Sequence, residues 1–462
     1  MDIRDLPGPP RLPLVGNVLA ISVDTIHQQL EAWAREYGEA YRLDLGPRRF
    51  AVLSNPGHVH QVLCARPRGF CKTNAERICE ELGIPGPLSA EGSAWKRQRR
   101  LVMAALSPKH ADGFYPTLVR VSERFVRRLA TLAKAGAEVD IQGEVMRLLI
   151  DATTSLAFGR DFNTIDGGEQ LLQTHLERVF AKMMDRMVAP LPYWRLLRMP
   201  SDRAADRAVV ALHEVLDELV ASERERIAQA PEGEEPSNFL AAMLAARDDQ
   251  GEAFADADVF GNIVQILLAG EDTTANTVAW AVHHLCDAPE IVARFQAELD
   301  ERIPAGGVPD SREIAASLDY ATGIANEALR LRSVLPLLFF TANEPTTFGE
   351  LHVDQGEHVI TLLRAAGLDP HHIDQPERFL PERWADPGEV ARLQRAGVFV
   401  PFGSGPRICA GRSLALLEAQ LVLGILYRNF TPERIGPSAA VSEQLQMTMR
   451  PVGLRVRLHP RA

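Results

Sequence analysis

The run Phe402-Gly403-Ser404-Gly405-Pro406-Arg407-Ile408-Cys409-Ala410-Gly411 places one cysteine in a loop punctuated by glycine and proline. Arg412 to Gln420 reads as a helix, so Cys409 sits just where that helix begins. Unpaired N–H groups and the positive end of the helix dipole favour a thiolate there. Gly405 and Gly411 carry no Cβ, which lets the backbone approach a flat ligand. Arg407 can neutralise an anionic group beside that ligand. A lone cysteine at a helix start is more often a buried structural residue. The joint spacing Phe-x-x-Gly-x-Arg-x-Cys-x-Gly, complete here, argues instead for a thiolate with a task.

Three further constellations could do chemistry or support it. Ala269-Gly270-Glu271-Asp272-Thr273-Thr274 lies inside a long apolar helix expected from about Asp258 to Cys286. Thr273 follows Ala269 by four residues, so its hydroxyl can bond that carbonyl and open the helix locally. The competing reading is a buried kink with Asp272 paired structurally. Glu327 and Arg330 are three apart and share a helix face, though an isolated pair of this kind is usually a solvated bridge worth little. Trp95 and Arg99, one turn apart, project from the same side of a helix. Lys96, Arg97 and Arg100 add charge beside them, or simply form a solvated face.

These residues need elements to hold them. Of 462 residues, 46% are hydrophobic and 24% charged, the balance of a soluble globular protein. Tyr41-Arg42-Leu43-Asp44-Leu45 alternates in polarity, turns at Gly46-Pro47 and returns as Phe50-Ala51-Val52-Leu53, which predicts a hairpin. Leu351-His352-Val353 and His358-Val359-Ile360-Thr361-Leu362 predict a second small sheet around Asp354-Gln355-Gly356. Val209, Leu212, Leu216 and Leu219 recur at helical spacing, and most of the remaining chain reads as helix. The clearest linker, Pro231 to Pro236 with Ser237 as the next N-cap, is short enough to be a loop. The expected architecture is therefore mainly α with a minor β region, in a single domain over 1–462.

Acidic residues number 61 against 50 basic ones, a net charge of −11, which argues against a general nucleic-acid binder and leaves room for a local basic patch. No apolar stretch reaches the roughly 20 residues that a membrane span needs, and the first residues lack an apolar signal region. A cytoplasmic, monomeric protein is expected. Cys64, Cys71, Cys79 and Cys286 make no Cys-x-x-Cys pair and are expected to be buried thiols.

The stretch around Cys409 resembles the haem-binding signature of the cytochrome P450 family, in which the cysteine is the axial thiolate of haem b. Ala269 to Thr274 resembles that family's oxygen-activation motif. The resemblance implies that Thr273 holds a hydrogen bond to dioxygen and that Asp272 feeds a proton relay. Glu327 and Arg330 resemble its Glu-x-x-Arg helix, and Phe379-Leu380-Pro381-Glu382-Arg383-Trp384 resembles the stretch supplying the third member of a structural triad, Arg383. By the same resemblance, Trp95 and Arg99 donate to a haem propionate, and Lys96, Arg97, Arg100 and Arg412 form a docking patch for an acidic electron-transfer partner. Met447-Thr448-Met449-Arg450-Pro451 looks like a closing strand segment. The cofactor-binding set is then Trp95, Arg99, Ala269, Gly270, Phe402, Gly403, Arg407, Cys409 and Gly411. Two departures stand out. The strand Pro336 to Ala342 holds no Arg where many relatives place one on a propionate, and Gly367-Leu368 replaces a common Asn/His-Arg pair.

The reaction so implied is insertion of one oxygen atom from O2 into a lipophilic molecule such as a fatty acid, terpenoid, steroid or polyketide-like product. Electrons would come from a ferredoxin or flavodoxin with its reductase. Relatives that use peroxide directly commonly replace the Asp272-Thr273 pair, so a peroxygenase is the runner-up. A haem-based gas or redox sensor would need no proton relay and usually a fused signalling module, and the chain ends at Ala462 without one. Ile266, Leu337, Leu338, Phe339, Phe340, Leu445 and Met447, with the loop between Ile78 and Leu88, are the expected substrate pocket.

Overall fold

The computed structural model describes residues 1–106, 108–168, 171–189, 192–231, 234–248 and 250–461, with nothing said of the side chains at 108–114, 171 and 188. Its organising element is a helix from Asp256 to Leu285. Acidic Asp256 and Asp258 stand in the first turn, which suits the helix dipole, whereas burial holds His283 and His284 in the last turn neutral. Almost every residue of this central helix from Val259 to Gln265 and from Thr274 to His283 is buried, so its stability comes from packing on all sides. Helices Ile141–Phe158, Asp319–Leu331 and Arg412–Asn429 pack around it.

The strands, in chain order, are β1 (Ala40–Leu45), β2 (Arg48–Leu53), β3 (Phe70–Lys72), β4 (Leu337–Ala342), β5 (Thr346–Phe348) and β6 (Leu351–Val353). Next come β7 (His358–Leu362), β8 (Phe430–Arg434), β9 (Ser442–Leu445), β10 (Met449–Val452) and β11 (Val456–Pro460). The expected hairpin is β1–β2, antiparallel with Leu43 opposite Phe50. The second small sheet, expected from Leu351–Val353 and His358–Leu362, does not form between these two runs, although both are strands. β6 pairs with β5, while β7 enters a five-stranded sheet of order β1-β2-β7-β4-β3, parallel to β2 and antiparallel to β4. Val359, Ile360, Thr361 and Leu362 are all buried, as a strand flanked on both sides requires. The segment expected to close the chain contains β10, which pairs with β9, and β11 follows it to pair with β8.

Val209, Leu212 and Leu216 are buried on the Pro200–Gln229 helix as their spacing predicts. In the expected linker, Glu232 and Gly233 lie outside the described residues. The cap of the next helix, Phe239–Ala245, is Asn238 and not Ser237: the Asn238 side chain accepts from the Ala241 N–H at 2.7 Å. Cys64 is exposed, 3.3 Å from the His60 ring, which corrects the expectation of four buried thiols. Cys79 is buried, and Cys71 and Cys286 are half-buried.

Two carboxylates lie buried where the central helix meets Arg412–Asn429. Thr274 Oγ1 donates to Glu418 Oε2 at 3.3 Å, and Glu271 Oε1 has no partner. Burial pushes Glu418 up to about 8; burial, then the nearby charge of Glu418, holds Glu271 well above the carboxylate range. Both folded values exceed those of the unfolded chain, so the native state keeps protons that the unfolded chain releases. The associated stability is complete below the ordinary carboxylate pKa and is lost as pH rises through about 8. Glu418→Gln should therefore melt with the wild type at acid pH and about 5 °C above it in alkaline buffer. A gap in calorimetric Tm that fails to widen with pH would remove Glu418 as the proton holder.

Candidate functional site

The cysteine loop is closed by its own backbone. The Cys409 N–H donates to the Phe402 carbonyl at 2.9 Å, Gly403 N–H to Val400 O at 2.9 Å, and Ile408 N–H to Gly405 O at 3.1 Å. Gly403 and Gly405 hold φ of +73° and +69°, where side chains are strained. Gly405 does not serve a flat ligand as expected: its bare face meets the Pro56–Ala65 helix, where an added Cβ would stand 2.7 Å from Cys64 Cα. Gly411 is the N-cap residue of Arg412–Asn429. Burial raises the Cys409 thiol above its ordinary value, while the Gly411 N–H, Arg99 and Arg412 pull it back. Helix-end effects alone thus do not make a thiolate here, whereas a coordinating metal ion deprotonates such a sulfur outright.

Behind the loop, Glu327 is fully buried and collects four partners. Arg330 donates through Nη2 at 2.7 Å and Nε at 2.9 Å, Leu380 N–H at 3.0 Å, Trp384 Nε1 at 2.9 Å and Arg383 Nε at 3.5 Å. Arg330 also binds the carbonyls of Gly367, Pro376 and Arg378. The triad is assembled, with Trp384 as a member that sequence reasoning missed although it adjoins Arg383.

On the central helix, Thr273 Oγ1 donates to Ala269 O at 2.8 Å, as its spacing predicts, but the helix runs on without a break. Asp272 receives Asn276 Nδ2 at 3.1 Å and the Thr448 hydroxyl, and Asn276 also donates to Thr448 at 2.8 Å. Burial raises the Asp272 carboxyl, while Thr448 and Asn276 restrain it. Asn276, which the sequence reading missed, stands one turn away on the same helix, a spacing that could have flagged it; Thr448 comes from the far end of the chain. Gly270 turns its bare face to Thr153, 3.7 Å from an added Cβ.

These features agree with what the chain resembles. Its sequence matches the family model described as Cytochrome P450 over residues 6–456. The chain belongs to the cytochrome P450 family. It is 30% identical to a cyclooctat-9-en-7-ol 5-monooxygenase of Streptomyces melanosporofaciens, over 91% of this chain and 87% of that protein. It is 28% identical to the steroid 21-hydroxylase of Sus scrofa, over 97% and 92%. A crystal structure of the cytochrome P450DA heme domain superposes with a TM-score of 0.87 at 24% identity, covering 99% of this chain and 97% of that one, which bears out the helix-rich fold. The protein is a haem-thiolate P450 monooxygenase, an oxidoreductase.

The residues fit a haem. Cys409 keeps accessible surface, and Arg99 and Arg412 lie within charge range of its thiol. Ile266, Ala269, Gly270, Asp272 and Thr273 likewise stay partly exposed in a helix buried on either side. Arg407 stacks 4.8 Å over the Trp95 ring, donates to Ala90 O at 2.6 Å and to the Glu91 carboxylate, and leaves its buried Nε without a partner. Arg99 lies within charge range of Cys409. Of the four residues expected to form a docking patch, Lys96 and Arg97 are exposed and Arg100 and Arg412 half-buried. Arg97 pairs with Asp258 at 3.1 Å, joined by Gln98 at 2.7 Å, which ties the Gly92–Ala105 helix to the central one. Arg412 is half-buried over Phe402, and Lys96 is exposed.

The pocket expectation divides. Leu337 and Phe339 belong to the main core and Leu338 and Phe340 to a second core behind the sheet, because alternate strand residues face opposite sides. All four therefore cannot line one cavity; Phe340 in particular is fully buried. Leu445 is buried and Met447 half-buried. Between Ile78, buried, and Leu88, exposed, the chain is pinned to the central helix by Gln265, which accepts from Leu88 N–H at 2.7 Å and donates to Ile84 O at 2.9 Å. Gly261 permits this approach, since a Cβ there would collide with Pro85 O. A glutamine and a glycine in an apolar helix were the available signal. Among the described residues no helix is long and apolar enough to cross a membrane.

Proposed function

We propose that this P450 uses O2 and electrons from a separate ferredoxin or flavodoxin with its reductase to hydroxylate or epoxidise a lipophilic, ring-built substrate of terpenoid or steroid type. It would do so as one domain in the cytoplasm. Cys409 is the iron ligand in this reading; Trp95, Arg99 and Arg407 hold propionates, and Ala269, Gly270, Phe402, Gly403 and Gly411 line the ring. Bound haem supplies the activation of oxygen. The chain supplies the Thr273 hydroxyl and a carboxyl at Asp272, held by Thr448 and Asn276, that can pass a proton inward. The names of the relatives, one acting on a cyclic alcohol and one on a steroid, support the substrate class.

The observation that carries the reading is the intact acid–alcohol pair on the central helix, with Thr273 anchored to Ala269 O and Asp272 to its two partners. A peroxide-driven enzyme has no use for that relay. Thr273→Ala should keep haem and substrate binding but lower product per NADH roughly tenfold, with the missing electrons appearing as hydrogen peroxide. Coupling unchanged from wild type, measured as product and peroxide together, would defeat the relay. A spin-state shift with linear fatty acids and none with steroids or cyclic terpene alcohols would reassign the substrate class.

A further inference from the structure

The acid and the alcohol of the central helix are neighbours in sequence, yet each is engaged elsewhere. Asp272 Oδ1 accepts from Asn276 Nδ2 at 3.1 Å and Oδ2 from the Thr448 hydroxyl, while Asn276 Nδ2 also donates to Thr448 Oγ1 at 2.8 Å. The Thr273 hydroxyl donates to Ala269 O instead. Both oxygens of Asp272 are thus turned to a partner from the far end of the chain. The arrangement carries a cost, because Asn276 is fully buried and its Oδ1 receives no donor. That keeps the hold on Asp272 weak enough to release.

Thr448 rides on the turn of the β9–β10 hairpin, residues 446–448, closed by Gln446 N–H to Thr448 O at 3.1 Å. Both flanks of the turn are fixed. On β9, Glu443 is held by Arg364 Nη1 at 2.9 Å, His27 at 2.7 Å and Arg332 at 2.7 Å. On β10, Met449 N–H donates to Val334 O at 2.8 Å, and Met449 O accepts from Trp280 Nε1 at 3.1 Å. Among the described residues, the hydrogen bonds of Thr448 Oγ1 are the ones that tie the turn itself to the central helix. Met447, beside it, is half-buried and belongs to none of the apolar cores among those residues. A group expected to meet substrate therefore adjoins the group that holds the acid.

We infer that Thr448 is a positioning residue whose hydroxyl holds Asp272 away from Thr273 until a substrate pressing on Met447 displaces the turn, so that proton delivery waits for an occupied pocket. The inference rests on Asp272 being the proton donor and adds what controls it. On release, the Asp272 carboxyl passes its proton toward Thr273 and takes a replacement from water, while Thr448 keeps its own. Occupant and latch then oppose each other. A ligand that must break the Thr448–Asp272 bond binds more tightly once the bond is gone, by the factor the bond had withheld.

Two probes separate this latch from packing. Econazole, an imidazole bearing two chlorinated aryl groups, fills the pocket as it ligates the haem iron, whereas imidazole itself ligates without reaching the turn. Thr448→Val should bind econazole about fivefold more tightly than wild type and imidazole within about twofold, and Thr448→Ser should restore the wild-type value. The gain should vanish in an Asp272→Ala background, since the two residues are halves of one bond. NADH oxidation without substrate should rise about fivefold in Thr448→Val, and not in the Asp272→Ala background. Unchanged or weaker econazole binding overturns the proposal, and so does a gain that persists with Asp272→Ala, which would report only the added apolar surface. Unaltered NADH oxidation without substrate overturns it as well. Should Thr448→Val fail to fold, Thr448→Ala is read on the same probes with the same expected and overturning results. Asp272→Ala that forms product with wild-type rate and coupling would instead overturn the donor reading, whatever the econazole result, so the two failures are distinguishable.

Discussion

Cys409→Ala is expected to abolish the strongly red-shifted Soret band of the reduced, carbon monoxide-treated protein and to lower substrate oxidation by roughly a thousandfold or more. The fold should survive. Loop closure depends on the Cys409 N–H to Phe402 carbonyl bond, the Gly403 turn and the fit of Gly405 against the Pro56–Ala65 helix, none of which uses the sulfur. Circular dichroism and melting close to wild type, with the thiolate band gone, would separate ligation from packing. A variant that kept the band would show that another residue ligates the iron. Cys64 is a useful control. It is the other exposed cysteine, and Cys64→Ala should leave the spectrum unchanged.

Glu327→Leu should be the most damaging substitution to stability. It strips Arg330, 2% exposed, of its counter-charge and leaves the Trp384 indole N–H and the Leu380 N–H without an acceptor. Breaking a buried ion pair by removing one partner costs about 3–5 kcal/mol, and two orphaned donors add to it. For a chain of this kind that means insoluble protein or a haem-free fraction on expression. Glu382→Gln offers the contrast: its pair with Arg294 is largely exposed on both sides and should cost less than about 1 kcal/mol. Similar yields and melting temperatures for the two variants would show that the triad is not the brace its geometry describes.

What the sequence disclosed and what it concealed follow a physical line. The cysteine loop, the Thr273–Ala269 bond and the Glu327–Arg330 pair were legible because each is local: fixed spacing on a loop or helix puts the atoms within reach whatever the rest of the chain does. Contacts between distant segments were not. Nothing near Asp272 points to Thr448, nothing near Arg97 to Asp258, and nothing in Arg66-Pro67-Arg68 to Phe340. The strand His358–Leu362 was recognised as a strand but given the wrong neighbour, since a short apolar run specifies burial and not its partner. The run Leu337–Phe340 looked like one apolar wall until strand alternation split it between two cores.

The pairing of β2 with β7 also bears on how the molecule is made. Phe50 and His358 become neighbours across most of the chain, so β2 has only β1 beside it until the start of the last quarter has left the ribosome. Contacts of such long sequence separation form slowly, and an unpaired strand edge invites other chains. A truncated or stalled product that ends before His358 would therefore carry an open, apolar edge at Ala51-Val52-Leu53 and no cysteine loop. It would be a substrate for chaperones before it could be one for cofactor loading.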